Sequence, residues 1–133
     1  MLGRLRPMLG AAALPLLLGG CGAGCADEVV QHEPSPYGGG TAIVFVRNCG
    51  ATTAHATQVA IVGHADDQPR GRSVVFVADG DQGAAEAGPG GGPRVRVRWR
   101  DGDRLEVAYD ASARISLRET EHGRLRILYT TLP

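Results

Sequence analysis

Three cysteines, Cys21, Cys25 and Cys49, are the residues of this chain with the widest chemical reach. A thiolate can attack a carbonyl, accept a lipid, ligate a metal or pair as a disulfide. Cys49 closes an apolar run at Arg47-Asn48-Cys49-Gly50-Ala51-Thr52-Thr53, with His55 shortly after it. A reactive thiol needs an activating imidazole or a helix N-terminus, and His55 is near in sequence only. The other histidines, His32, His64 and His122, are scattered and lack the close spacing of a zinc site, and no Cys-x-x-Cys is present. Asp79-Gly80-Asp81-Gln82-Gly83 with Glu86 carries oxygens without the full run of a calcium loop and reads as a turn. Ser35, Ser73, Ser112 and Ser116 sit in neither a Gly-x-Ser-x-Gly elbow nor a Ser-x-x-Lys motif. Gly38-Gly39-Gly40 has no helix behind it to hold a phosphate. The expectation is a non-catalytic chain with no cofactor and no metal.

The first cysteine has a different logic. Arg4 and Arg6 form a basic start, and Met8 to Leu18 is an apolar stretch broken only by Gly10 and Pro15. About eleven residues are too few to span a bilayer, which needs roughly twenty; a basic start, a short apolar core and small residues describe an export signal. Leu18-Gly19-Gly20-Cys21 resembles the lipobox of bacterial lipoproteins, in which the cysteine becomes the lipidated N-terminus. Ordinary secretory cleavage near a cysteine is the competing reading. Cys25 fits less well, since Gly22-Ala23-Gly24 lacks the aliphatic residue. The resemblance implies a signal peptide over 1–20, a lipidated N-terminus and short tether over 21–28, and a domain over 29–133. Gly22 stands where aspartate would signal retention at the inner membrane, so an outer-membrane anchor facing the periplasm is expected. The membrane is then one partner, through the lipid, and an envelope protein the other.

Cleavage before Cys21 leaves one domain's length of chain. All fourteen basic residues of the precursor are arginine, against fourteen acids, and Arg4 and Arg6 leave with the signal. That balance gives no global charge for nucleic acid. Two cysteines remain, and in an oxidising compartment two thiols in one small domain usually pair. Cys25 and Cys49 are therefore expected as a structural disulfide closing a loop of roughly 25 residues, a stabilisation of roughly 3–4 kcal/mol on the chain-entropy model. A buried free thiol and a reactive thiol are the competing readings of Cys49.

From Glu28 onward the patterning is β throughout. Strands are expected over 29–31, 41–47, 57–62, 73–78, 94–99, 105–109, 114–117 and 124–130, separated by Gly, Pro, Asp and Asn turns. Residues 83–93 read as a flexible glycine-rich loop. Ile43 to Val46, Val59 to Val62 and Val74 to Val77 are continuously apolar, the signature of strands covered on both faces. In contrast Arg94, Arg96, Arg98 and Arg100 alternate with Val95, Val97 and Trp99. An odd-numbered loop centred on Gly102 pairs Val97 with Val107, Trp99 with Leu105, Arg98 with Glu106 and Arg94 with Asp110, keeping the faces unmixed. The arginine stripe then reads as a solvated face with cross-strand charge pairs. Arg96 and Arg100, without obvious acidic partners, are the candidate ligand contacts. Thr52, Thr53 and His55 are candidate partner contacts in the Cys49 corner.

Ser35-Pro36-Tyr37-Gly38, the Asn48-Cys49-Gly50-Ala51-Thr52-Thr53 corner, Ala78-Asp79-Gly80 and Trp99 with Leu105 and Tyr109-Asp110 occur together in this order. The set resembles a family of small exported bacterial proteins carrying a domain of unknown function, with an SPDG-like turn, an (N/D)CGATT corner, an ADG turn and a W…L…YD hairpin. The chain departs from that pattern at Tyr37-Gly38-Gly39-Gly40 and at Ala54-His55. The resemblance implies an exported β domain and supplies no activity. The expected molecule is a single all-β domain of about seven or eight antiparallel strands, a sandwich or a curled meander. It would bind or support something in the envelope, or inhibit an envelope-directed hydrolase through the loops around 49–56 and 80–93.

Overall fold

The computed structural model describes Gly3 and residues 24–50, 53–64 and 67–133; the rest of the stretch 1–20 expected as a signal peptide, Cys21 and Thr52 lie outside the described residues. Nine strands follow one another: β1 Ala26–Pro34, β2 Thr41–Asn48, β3 Ala56–Val62, β4 Val74–Asp79, β5 Val95–Asp101, β6 Arg104–Tyr109, β7 Arg114–Arg118, β8 Glu121–His122 and β9 Leu125–Thr131. They form a five-stranded sheet, β1-β2-β3-β4-β7, and a four-stranded sheet, β5-β6-β9-β8. The domain is all-β, and each expected strand is present. The two-residue β8 is additional, and β6 and β9 pair in parallel where an antiparallel set was expected. β1 begins at Ala26, ahead of the expected Val29, so chain read as tether is part of the sheet.

The continuously apolar strands occupy the middle of the larger sheet, as two-sided burial requires. Val44, Val59, Ile61, Phe76 and Ala78 face Val95, Val97, Leu105, Val107 and Ile127 of the smaller sheet in one shared cluster. On the opposite face Ile43, Phe45, Ala60, Val62 and Val74 form a second cluster, with Val77 and Leu117 beside it. Burying a side chain of the Val, Leu or Phe class contributes roughly 1.5–3 kcal/mol. The shared layer between the sheets is therefore the main source of stability.

Two further contacts close the sandwich along its long edges. On one side Phe76 of β4 lies 5.5 Å from the Tyr109 ring and 5.7 Å from the Tyr129 ring. Arg118 of β7 stacks over Tyr129 at 4.5 Å. The Tyr129 hydroxyl donates to the Glu119 carbonyl, and burial pushes the phenol up to about 12. On the other side a bulge at Val30 interrupts the β1–β2 pairing. Gln31, just beyond it, bridges to β5: its Nε2 donates to the Val97 carbonyl at 3.0 Å, and the Val97 N–H donates to its Oε1 at 3.0 Å. The glutamine thus does at one residue what a neighbouring strand would do for a sheet edge. Two residues on, Trp99 Nε1 donates to the Glu33 carbonyl at 2.9 Å.

The β5–β6 hairpin has the expected pairs: Val97 with Val107, Trp99 with Leu105 and Arg98 with Glu106. Next to them Asp110 N donates to the Arg94 carbonyl at 3.1 Å. The odd residue enters by a different route from the one expected. Asp101 pairs with Arg104 across a two-residue Gly102–Asp103 turn, and Arg100 is a bulge between Trp99 and Asp101. Parity is preserved because a bulge adds one residue to one strand.

Gln31→Leu keeps the apolar bulk but strips the Val97 N–H and C=O of both partners. Leaving buried polar groups unpaired costs about 1–3 kcal/mol, so urea denaturation should show a loss in that range. An unchanged midpoint would mean the clasp contributes nothing to the sandwich.

Candidate functional site

The strand registers sort the loops into two ends. Ala26 pairs with Asn48, Ala56 with Asp79 and Asp79 with Arg114, so the Cys49 corner and the 80–93 connection share one end with the start of β1. At this end Cys25 and Cys49 are bonded, with Cα atoms 4.1 Å apart. Cys49 therefore has no thiol to offer, and the reactive-cysteine reading of the corner is set aside. The turn after it is closed locally. Gly50 N donates to Asn48 Oδ1 at 3.0 Å, and Thr53 donates to the Gly50 carbonyl through both its N–H and its hydroxyl. Thr53 serves the loop backbone.

Residues 83–93, expected as a flexible loop, are a folded connection packed on the sheet. A short 3-10 turn at Asp81–Gly83 is followed by a second at Pro89–Gly91, which the Ala87–Pro93 bridge encloses, and Gly88 N donates to the Gly92 carbonyl at 2.7 Å. The glycines are there for proximity. A Cβ on Gly92 would lie 2.3 Å from Thr57 Oγ1, and one on Gly91, at φ +89°, would lie 2.4 Å from His55 Nδ1. Thr57, 1% exposed, donates its hydroxyl to the Pro93 carbonyl at 2.7 Å. His55 and Gly91 thereby join the two loops in one hollow of about 310 Å³, lined also by Gly80, Glu86 and Pro93.

Two ion pairs brace the same end. Arg47 Nε donates to Asp27 Oδ1 at 2.8 Å, and Arg114 Nη2 to Asp79 Oδ2 at 2.8 Å. Asp79 Oδ1 also accepts from Asp81 N at 2.8 Å, so this carboxylate is spent on the turn and on β7. The hydrogen bond from Arg47 holds Asp27 below its ordinary value, and that from Arg114 does the same for Asp79.

The expected arginine contacts lie elsewhere, on the outer face of the four-stranded sheet. Arg94, Arg96, Arg98 and Arg100 are all exposed. Arg100, expected to lack a partner, donates to Glu106 Oε2 at 2.8 Å, because the bulge turns it toward that carboxylate. Arg98 reaches the same Glu106 only at 3.7 Å. Arg96 borders a groove of about 490 Å³ that runs over the β5 edge past Gln31, Glu33, Pro36 and Trp99. Alternation in β9 adds Arg126 to this face, and β6 adds Arg104, paired in register with it. Both follow from the strand parity of β6 and β9, a weaker signal than the stripe on β5 because each of these strands carries a single arginine at an outward position. Arg104 is bonded to Asp101, whose carboxyl it holds far below the usual range, while the hydrogen bond to Asp101 raises Asp103.

Thr53 and His55 on one side and Arg96 and Arg100 on the other thus belong to two separate surfaces. Among the described residues no three His, Cys, Asp or Glu side chains group to hold a metal. No protein-family model, curated protein or solved structure matches the chain.

Gly92→Ala forces a methyl into Thr57 Oγ1 and breaks the bond that seats the connection. Thermal denaturation should show a loss of about 1–3 kcal/mol, and an unperturbed variant would mean the loop does not need the close approach. Lowered carboxyl values stabilise the fold above the unfolded value and lose that contribution as pH falls through the folded one. Stability should therefore fall below pH about 4, and Asp27→Asn with Asp79→Asn should flatten that fall in melts across acid pH. An equally steep fall would place the acid sensitivity in other groups.

Proposed function

We propose that this chain is a non-catalytic envelope lipoprotein, a binding or structural domain held to the membrane through lipid on Cys21 and facing the periplasm from the outer membrane. Membership of the exported family with the (N/D)CGATT corner is part of this reading. The observation that carries it is the Cys25–Cys49 bond. A disulfide fits an oxidising compartment, and this one begins four positions after the lipid acceptor. It fastens the anchored end of the chain to the sheet, so pull on the lipid is borne by a covalent staple rather than by the first pairs of β1. The lipobox-like Leu18-Gly19-Gly20-Cys21 supports the same reading from the sequence side.

The second reading is a small inhibitor of an envelope-directed hydrolase. What favours it is the convergence of its two loops, 49–56 and 80–93, at His55 and Gly91. Four Cα steps separate Cys21 from Cys25, a reach of at most about 14 Å. With Cys21 in the bilayer surface, these loops stay close to the membrane, so an inhibited enzyme would have to open its active site there.

Intact mass of the membrane-extracted protein, with alkylation before and after reduction, tests the first reading. The expected product begins at Cys21, carries acyl groups, and exposes two thiols only on reduction. A soluble, unacylated product would overturn the anchor. The inhibitor reading predicts stoichiometric co-purification with one enzyme, lost when His55 is replaced by Asp.

A further inference from the structure

We infer that the outer face of the four-stranded sheet lies on the anionic phospholipid headgroups of the membrane that holds the chain; the inference rests on the lipid-anchor reading of Cys21. Six arginines share this face: Arg94 just ahead of β5, Arg96, Arg98 and Arg100 on it, Arg104 on β6 and Arg126 on β9. The acids among them are Glu106, which Arg98 and Arg100 share, Asp101, which holds Arg104, Asp103, which borders one hollow with Arg104 and Arg126, and Glu121, opposite Arg126 on β8. Asp110, beside Arg94, turns its carboxylate to Ser112 N at 2.9 Å. Among the described residues Arg94, Arg96 and Arg126 make no ion pair, and all three are exposed. The remainder of the face is small or apolar, with Ala108, Leu128 and Thr130 between the charges. A broad surface with more cations than acids, three of its arginines outside any ion pair, matches a layer of phosphates better than it matches a single cleft-bound ligand.

The tether makes this placement reachable. β1, which carries the anchored end, lies alongside β5 through Gln31 and Trp99. Stacked sheets are about 10 Å apart, so the roughly 14 Å that four Cα steps allow carries Cys21 past the backbone of the smaller sheet, and its lipid-bearing side chain covers the depth of the arginine side chains. Lipid on Cys21 can therefore enter the bilayer while the arginine face rests on it. Each arginine at an anionic surface adds attraction that fades within a Debye length. A lipid chain combined with a basic patch is the two-signal arrangement that anchors stably.

The test uses the acylated protein reconstituted in vesicles of phosphatidylcholine alone or mixed with phosphatidylglycerol, with arginine labelling by phenylglyoxal read by peptide mass spectrometry. Arg94, Arg96 and Arg126 should label several-fold more slowly on phosphatidylglycerol vesicles than on neutral ones, and raised salt should remove the difference. Arg47 and Arg114, on the other sheet, should label alike in both. Arg96→Glu with Arg126→Glu should abolish the protection of Arg94, with an unchanged urea midpoint showing the fold intact. Equal labelling on both vesicles overturns the inference, as does protection by soluble polyphosphate without protection by phosphatidylglycerol. If mass analysis finds no acyl group, the anchor reading fails by itself. Cosedimentation of that unacylated protein with phosphatidylglycerol vesicles then decides the face, the double variant binding about tenfold or more weakly.

Discussion

Water has to be kept out of one layer of side chains shared by two sheets, and the rest of the domain is arranged around that requirement. Val44, Val59 and Phe76 meet Val97, Leu105 and Val107 there. A one-residue slip in any of these strands would send its apolar set outward, so the hairpin register and the bulges at Val30 and Arg100 all serve the same end. The edges matter as much as the middle. A two-sheet stack with open sides would leave the backbone of β5 facing water or nothing. Gln31 and Trp99 seal one side with polar bonds, and the Phe76, Tyr109 and Tyr129 rings seal the other with apolar ones. The domain is closed by different chemistry on its two flanks.

Much of this was legible in the sequence, and the reasons differ by element. Unbroken apolar runs marked β2, β3 and β4 as central strands, because only burial on both faces tolerates them. Alternation marked β5 and β6, and parity alone fixed which residues pair. What escaped was whatever depends on partners far away in the chain. β1 is mostly polar and owes its length to pairing with β2 and to the disulfide. Gln31 meets Val97 across 66 positions, a contact no local pattern announces. Gly88 and the run Gly90 to Gly92 resembled a slack loop because composition records their lack of side chains and says nothing of the Thr57 and His55 surfaces that need that lack. The pairing of Arg100 with Glu106 was hidden for a related reason: a bulge reorients one side chain and leaves the alternation around it untouched.

The chemistry of the candidate residues follows from the same packing. Cys49 is consumed by Cys25, Thr53 by its own turn, and Asp79 by Arg114 and Asp81, so the corner is a built joint with its reactive groups already engaged. Charge is distributed with a similar economy. Exposed pairs such as Arg47–Asp27 contribute little individually, yet they neutralise the larger sheet's end. The smaller sheet's outer face is left with more cations than anions. A chain of nearly balanced total charge therefore has a polar axis, which net charge alone conceals.

The parallel pairing of β6 with β9 carries a consequence for assembly. Parallel neighbours cannot be joined by a tight turn, so the chain leaves β6, crosses to lay β7 against β4 in the other sheet, and returns through β8. The smaller sheet is thus completed only by a segment that has first visited the larger one. The β6–β9 pairs lie 22 positions apart and the β4–β7 pairs 35 to 42, and wider pairings form more slowly than hairpins, so the consecutive strands β1 to β4 are expected to come together ahead of both. A chain emerging N-terminus first meets those conditions in the sequence in which they are needed. Its last strand acts as the bolt that locks a sandwich whose other parts are already in place.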